Sequence, residues 1–164
     1  MIATQIIVDF LVKKGVKNIY QLSGGMIMQF IDTIHTDGRL NLVTVHHEQT
    51  ASFAADAEGR YNGIPGIATA TSGPGATNLI TGIASSYFDS SPTIFITGQV
   101  NRNEQKKNKN IRQLGFQETD IVSMVKPITK FAIKVEDGSE LEKVLELAFQ
   151  ESISGRPGPV LIDI

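Results

Sequence analysis

The chain contains no cysteine and no tryptophan. Without cysteine it can form neither a disulfide framework nor a thiolate metal site, and its composition suits a reducing compartment, so a cytoplasmic location is expected. It has no run near the ~18 consecutive apolar residues that a membrane-spanning helix needs. The opening segment MIATQIIVDFLVKKG lacks the basic start, continuous apolar core and small-residue cleavage site of an export signal. A strong excess of charge is missing too: Lys plus Arg number 15 against 17 Asp plus Glu, for a formal net charge of -2. That balance argues against a broad nucleic-acid or membrane surface and leaves small molecules or proteins as the expected partners.

What remains is 164 residues of 41% hydrophobic composition, the size of one globular domain with a single core. Ile6, Ile7, Phe10 and Leu11 fall at helical spacing over residues 2–14, with Thr4 as cap and Gly15 as stop. Asn18 to Leu22 then reads as a strand entering the turn Ser23-Gly24-Gly25, and Met26 to Ile34 as a helix. The rhythm repeats. Leu42 to Val45 is a strand before an alanine-rich helix from His47 to about Gly63. Gly66 to Thr71 is a strand before the tight turn Ser72-Gly73-Pro74-Gly75 and a helix from Ala76 to Phe88. Thr93 to Thr97 is a fourth strand. Short apolar strands alternating with helices predict a doubly wound α/β fold, a mostly parallel sheet with helices on both faces.

Gln99 to Gly115 breaks the rhythm with Arg102, Lys106, Lys107, Lys109 and Arg112 among asparagines and no interleaved aromatics, which reads as a solvated loop rather than a nucleic-acid patch. Beyond it, Ile128 to Val135 reads as a strand, Ser139 to Ser152 as a helix and Pro159 to Ile164 as a final strand. No internal repeat or domain boundary appears, so residues 1–164 are expected to be one domain. A sequence that stops directly after a buried-type strand is expected to be part of a longer chain.

Ligands of open parallel sheets bind at the carboxyl ends of the strands. The four post-strand segments Ser23–Gly25, His46–Gln49, Ser72–Gly75 and Gly98–Gln99 should therefore line one edge. By residue type alone each has an ordinary explanation. A first-turn glutamate such as Glu48 complements a helix dipole, and Ser72-Gly-Pro-Gly75 is a turn needing glycine conformations as readily as an anion cradle. His46 and His47 lack metal-site spacing, and no metal site is expected within the chain.

The combination says more. His47-Glu-Gln-Thr-Ala-Ser-Phe-Ala-Ala-Asp-Ala-Glu-Gly-Arg60, Thr71-Ser-Gly-Pro-Gly-Ala-Thr-Asn78, Asp89-Ser-Ser-Pro92, Ile96-Thr-Gly-Gln-Val100, Gly115-Phe-Gln-Glu118, Ile128-Thr-Lys130 and Gly155-Arg-Pro-Gly-Pro-Val160 occur in that order. Together they resemble the acetolactate synthase type of thiamine-diphosphate enzyme, along essentially the whole chain. The resemblance is to that family's N-terminal, pyrimidine-binding domain. It implies that Glu48 hydrogen-bonds N1′ of the cofactor's aminopyrimidine, promoting the tautomer whose 4′ nitrogen removes the thiazolium C2 proton. The reaction implied is decarboxylation of a 2-keto acid with transfer of the acyl unit to a second carbonyl.

Residue by residue, the resemblance places Pro74 and Asn78 near the pyrimidine and Gly25 at the cofactor edge. It places Phe116, Gln117 and Lys130 near the substrate channel, Gln117 with a catalytic part, and Ser90 near the flavin in those synthases that bind FAD. It further implies Mg2+ and diphosphate held by a second domain with a Gly-Asp-Gly motif, which this chain lacks. The site would lie between that domain of a partner subunit and this one, in a homodimer or homotetramer, and this chain alone would be inactive. Leu22-Ser-Gly-Gly25 stands where such synthases have Tyr-Pro-Gly-Gly, and the segment between Val100 and Phe116 is longer than usual, which implies a reshaped substrate entrance. Two other readings stay open: a separate pyrimidine-domain subunit of a two-chain 2-keto acid decarboxylase, and a non-catalytic α/β module binding a nucleotide or a partner.

Overall fold

The structure, a computed structural model, describes residues 2–164. Six strands form one sheet: β1 (Asn18–Gln21), β2 (Asn41–Thr44), β3 (Gly66–Ala70), β4 (Thr93–Thr97), β5 (Phe131–Lys134) and β6 (Pro159–Asp163). Their order is β2-β1-β3-β4-β6-β5, and every neighbouring pair runs parallel. Among the described residues seven α-helices accompany them: α1 (Ala3–Lys13), α2 (Met28–Asp37), α3 (Glu48–Asn62), α4 (Pro74–Asn78), α5 (Ile80–Asp89), α6 (Ile121–Val125) and α7 (Leu141–Ile153). The expected doubly wound arrangement is therefore present.

Strand periodicity sorts the core into two layers. Ile67, Ile94, Ile96, Val160 and Ile162 face α1, α2 and α7. Their sequence neighbours Ala68, Phe95 and Leu161 face the layer built from Ala51 and Ala55 of α3, Ile83 of α5 and Ile121 of α6. Every residue of β3, β4 and β6 is buried, as a central parallel strand covered on both faces requires, whereas the outermost strand β2 is largely exposed.

The second layer is thin because its residues are small. A Cβ at Gly66 would lie 1.8 Å from the carbonyl oxygen of Ala55, and one at Gly82 would lie 1.9 Å from Oγ of Ser52. At Gly59 a Cβ would meet the Pro92 carbonyl oxygen at 2.1 Å. Helix α3 thus lies directly on the backbone of β3 and against α5, and that fixes how deep its first residue, Glu48, sits.

Several local expectations are corrected. Thr4 is not the cap of α1; Ile2 is, and Thr4, already inside the first turn, accepts a hydrogen bond at Oγ1 from Thr33 of α2 at 2.8 Å. The helix expected over Ala76–Phe88 starts earlier, at Pro74, and divides at Leu79 into α4 and α5. The strand expected from Ile128 begins only at Phe131, because Lys126–Ile128, with Pro127 at its start, turns as a 3-10 helix. Helix α6 was not expected. Asp120 caps it, accepting the Ser123 N–H at 3.1 Å.

Candidate active site

The chain leaves β1 for β2 on one side and reaches β3 on the other, so the carboxyl ends of β1 and β3 flank a switch point, the usual place for a ligand crevice. The four post-strand segments meet there. A Cβ at Gly24 would sit 2.5 Å from Cβ of Thr71, and the Met26 N–H donates to Thr71 Oγ1 at 3.2 Å. The turn after β1 is thereby fastened to the end of β3, and only glycine allows so close an approach. The turn after β4 joins them, since a Cβ at Gly98 would lie 2.7 Å from the Met26 carbonyl oxygen.

Glu48 enters this edge as the first residue of α3. His47 is the cap, its backbone extended and its Nδ1 accepting the Gln49 N–H at 3.1 Å. That gives His47 a structural task and turns the next side chain, Glu48, inward. Glu48 is 7% exposed. Asn78, the last residue of α4, donates from Nδ2 to Glu48 Oε2 at 2.9 Å. Oε1 faces Gly75, where a Cβ would lie 3.2 Å away. Among the described residues no Lys, Arg or His pairs with this carboxyl. The site therefore holds a buried carboxyl with one oxygen pinned, one oxygen free, and the N-terminal dipole of α3 behind it.

Gln117 is brought to the same edge. Its φ of 60° is left-handed, and it lies against Gly73, whose own φ is 64° and whose Cβ, if it had one, would be 2.6 Å from Cβ of Gln117. Phe116 beside it is 74% exposed. Pro74 opens α4 at the surface, and at Gly25 a Cβ would point into open space.

Ser90 and Lys130 are not brought to this edge. Each lies shortly before a strand, β4 and β5 respectively, and in an all-parallel sheet that is the opposite edge. Ser90 ends α5 in a left-handed conformation, and its Oγ accepts from Arg156 Nε at 2.6 Å. Lys130 donates from Nζ to the carbonyls of Glu151 and Ser154 at the end of α7, the latter at 2.7 Å, and so caps that helix. Sequence reading had Gly73 in an edge turn but missed its contact with Gln117, and missed Thr71 as part of the site. The position of Thr71 at the end of an apolar strand was the available signal.

A cavity of about 330 Å³ opens beside the crevice, lined by Met26, Phe30, Gly98, Gln99, Val100 and Leu141 among others. Glu48 is not on its wall. The chemistry of a free buried carboxyl oxygen locates the site better than this hollow does. Among the described residues no three His, Asp or Glu side chains gather as metal ligands, and no helix is long and apolar enough to cross a membrane.

An aminopyrimidine fits what is present. Glu48 Oε1 can share a proton with a ring nitrogen, Gly75 brings no side chain against that oxygen, Gly25 leaves open room, and the buried Ser72 Oγ in the adjoining turn has no partner. The arrangement defines a parallel α/β ligand-binding domain with a buried acid, Glu48, at the carboxyl edge beside the switch point.

Comparison with known proteins supplies the class. The family "Thiamine pyrophosphate enzyme, N-terminal TPP binding domain" matches residues 1–124, and the chain belongs to it. It is 39% identical over 160 residues to acetolactate synthase isozyme 3 large subunit of Escherichia coli K12, covering 98% of this chain and 27% of that protein. It is 44% identical over 161 residues to the acetolactate synthase large subunit of Parasynechococcus marenigrum, covering 96% and 25%. With the chloroplastic acetolactate synthase of Arabidopsis thaliana it shares 41% identity over 159 residues, covering 97% and 23%. The chain spans about a quarter of the length of these relatives.

Proposed function

We propose that this chain forms the pyrimidine-side wall of a thiamine diphosphate site in an acetolactate synthase-like enzyme. That enzyme decarboxylates a 2-keto acid and transfers the acyl unit to a second carbonyl. The observation that carries the proposal is the Glu48 carboxyl, buried at the carboxyl edge with Oε2 held by Asn78 and Oε1 free.

Bound thiamine diphosphate supplies an acidic thiazolium carbon and an electron sink. Glu48 holds a proton at N1′ of the aminopyrimidine, from a carboxyl that is buried within hydrogen-bond reach of the ring's place. Asn78 keeps the carboxyl from turning away. The fastened turn Gly24–Met26 and the Ser72–Gly75 turn keep side chains out of the ring's place. Gln117, standing over Gly73, is the side chain positioned to meet a substrate.

The chain spans about a quarter of the length of its relatives, which accords with a site whose Mg2+ and diphosphate are held by a second domain, in a homodimer or homotetramer, with this chain alone inactive. A cytoplasmic location accords with the absence of cysteine. Flavin absorbance of the purified protein would show whether FAD is carried.

The test is Glu48→Gln in the full-length protein. Turnover of 2-keto acids should fall by roughly 10²–10⁴-fold, the range for losing a positioned proton-transfer group, with the thermal unfolding midpoint unchanged. Turnover near the native rate would sink the proposal. Product analysis separates acyl transfer from simple decarboxylation to an aldehyde.

A further inference from the structure

The segment between β4 and α6 carries Lys106, Lys107, Lys109 and Arg112 on an exposed loop, whose cations repel one another and favour an open, solvated conformation. In the structure the loop is closed. Glu118 Oε1 accepts the Lys106 N–H at 2.7 Å, Oε2 accepts the Leu114 N–H at 2.8 Å, and the Glu118 N–H donates to the Gly115 carbonyl at 3.2 Å. One carboxylate thus bridges the two ends of the loop. With lysines close by, it forms no ion pair among the described residues and spends both oxygens on backbone N–H groups.

We propose that Glu118 is a positioning residue for the site, clamping the 106–114 loop and so holding the adjacent Gln117 against Gly73. The proposal rests on the reading of the Glu48 edge as the cofactor site.

Three further observations support it. The base of the loop is already rigid, because buried Gln105 donates from Nε2 to the Val100 carbonyl at 3.0 Å and accepts from Lys134 Nζ at 2.6 Å. Gly115 has no slack either, since a Cβ there would lie 2.9 Å from both the Glu104 carbonyl oxygen and Val100 Cβ. Gln117 is left-handed without being glycine, a conformation that persists only where its surroundings impose it. Charge-assisted bonds from backbone N–H to carboxylate are among the stronger hydrogen bonds available for that purpose. Burial pushes the Glu118 carboxyl up, but the Leu114 and Lys106 N–H groups hold it below the ordinary value, so the clamp stays ionised at neutral pH.

The experiment uses Glu118→Gln and Glu118→Ala in the full-length protein. A carboxamide can accept one of the two N–H groups and presents its own NH2 to the other, so both variants lose the bridge. Cleavage by trypsin after Lys107, Lys109 and Arg112 should accelerate at least about tenfold, the equivalent of one charge-assisted hydrogen bond. Cleavage after Lys13 and Lys143 should not change. The kcat/KM for a 2-keto acid should fall about tenfold, while affinity for thiamine diphosphate stays within about twofold. Unchanged loop cleavage would overturn the clamp. Faster cleavage with unchanged kcat/KM would overturn its role in placing Gln117. Failure of the cofactor-site reading shows separately, as near-native turnover in Glu48→Gln.

Discussion

Asn78 Nδ2 lies 2.9 Å from Glu48 Oε2 and joins the last residue of α4 to the first residue of α3. The contact spans a separation of 30 residues and sets which carboxyl oxygen is spent and which is free. Asn78→Ala should lower turnover by about 10- to 100-fold, since a hydrogen bond to a charged group contributes roughly 1.5–3 kcal/mol. Steady-state kinetics of the full-length variant would measure this. An unchanged rate would show that Glu48 needs no such orientation.

Gly73 and Gln117 meet at the same edge. An alanine at Gly73 would have to adopt a φ of 64° with ψ of -126° and would press its Cβ to within 2.6 Å of Gln117 Cβ. Gly73→Ala should displace Phe116–Gln117 and speed tryptic cleavage of the 106–114 loop as loss of Glu118 does. Native-like cleavage would mean that the two segments do not support each other.

The depth of Glu48 depends on α3 resting on β3. Gly66→Ala places a Cβ 1.8 Å from the Ala55 carbonyl oxygen, a backbone atom that cannot yield without moving the helix. Destabilisation by about 3 kcal/mol or more is expected, at or beyond the usual range for overpacking. Urea unfolding would measure it.

Asp163 ends β6 at 1% exposure, accepting from Thr97 Oγ1 at 2.7 Å and from Gln99 Nε2 at 2.9 Å. Burial pushes its carboxyl above the ordinary 3.8, against the opposing pull of those hydrogen bonds. The folded state therefore binds this proton more tightly than the unfolded chain does. Its contribution to stability rises as pH falls through the folded value towards 3.8 and levels off below that. Relative to Asp163→Asn, the native protein should gain stability over that interval, as unfolding midpoints at stepped pH would show. A constant gap would contradict the shift.

Much of this was legible in the sequence because parallel central strands read as short apolar runs separated by helices. The edge positions of Ser23–Gly25, Glu48 and Ser72–Gly75 followed from their places just after strands. The same rule puts Ser90, just before the strand at Thr93, at the far edge, where the structure has it; Lys130, read from the sequence as inside a strand beginning at Ile128, lies before β5 only in the structure. What the sequence concealed was side-chain pairing. Nothing in the spacing of Glu48 and Asn78 announces their bond, and Glu118 reads as one more surface acid until its two backbone partners are seen. Helix α6 escaped notice because a run as short as Ile-Val-Ser-Met-Val carries too few residues to show a helical period, although Asp120 before it was a usable cap signal.

The central claim is that Glu48 activates the cofactor by sharing a proton with its aminopyrimidine. Hydrogen–deuterium exchange at C2 of thiamine diphosphate, followed by NMR after acid quenching of the full-length protein, measures that activation without any substrate. The native protein should accelerate exchange by orders of magnitude over free cofactor, and Glu48→Gln should lose most of that gain while still binding the cofactor. Equal exchange rates in the two proteins would contradict the assignment of Glu48.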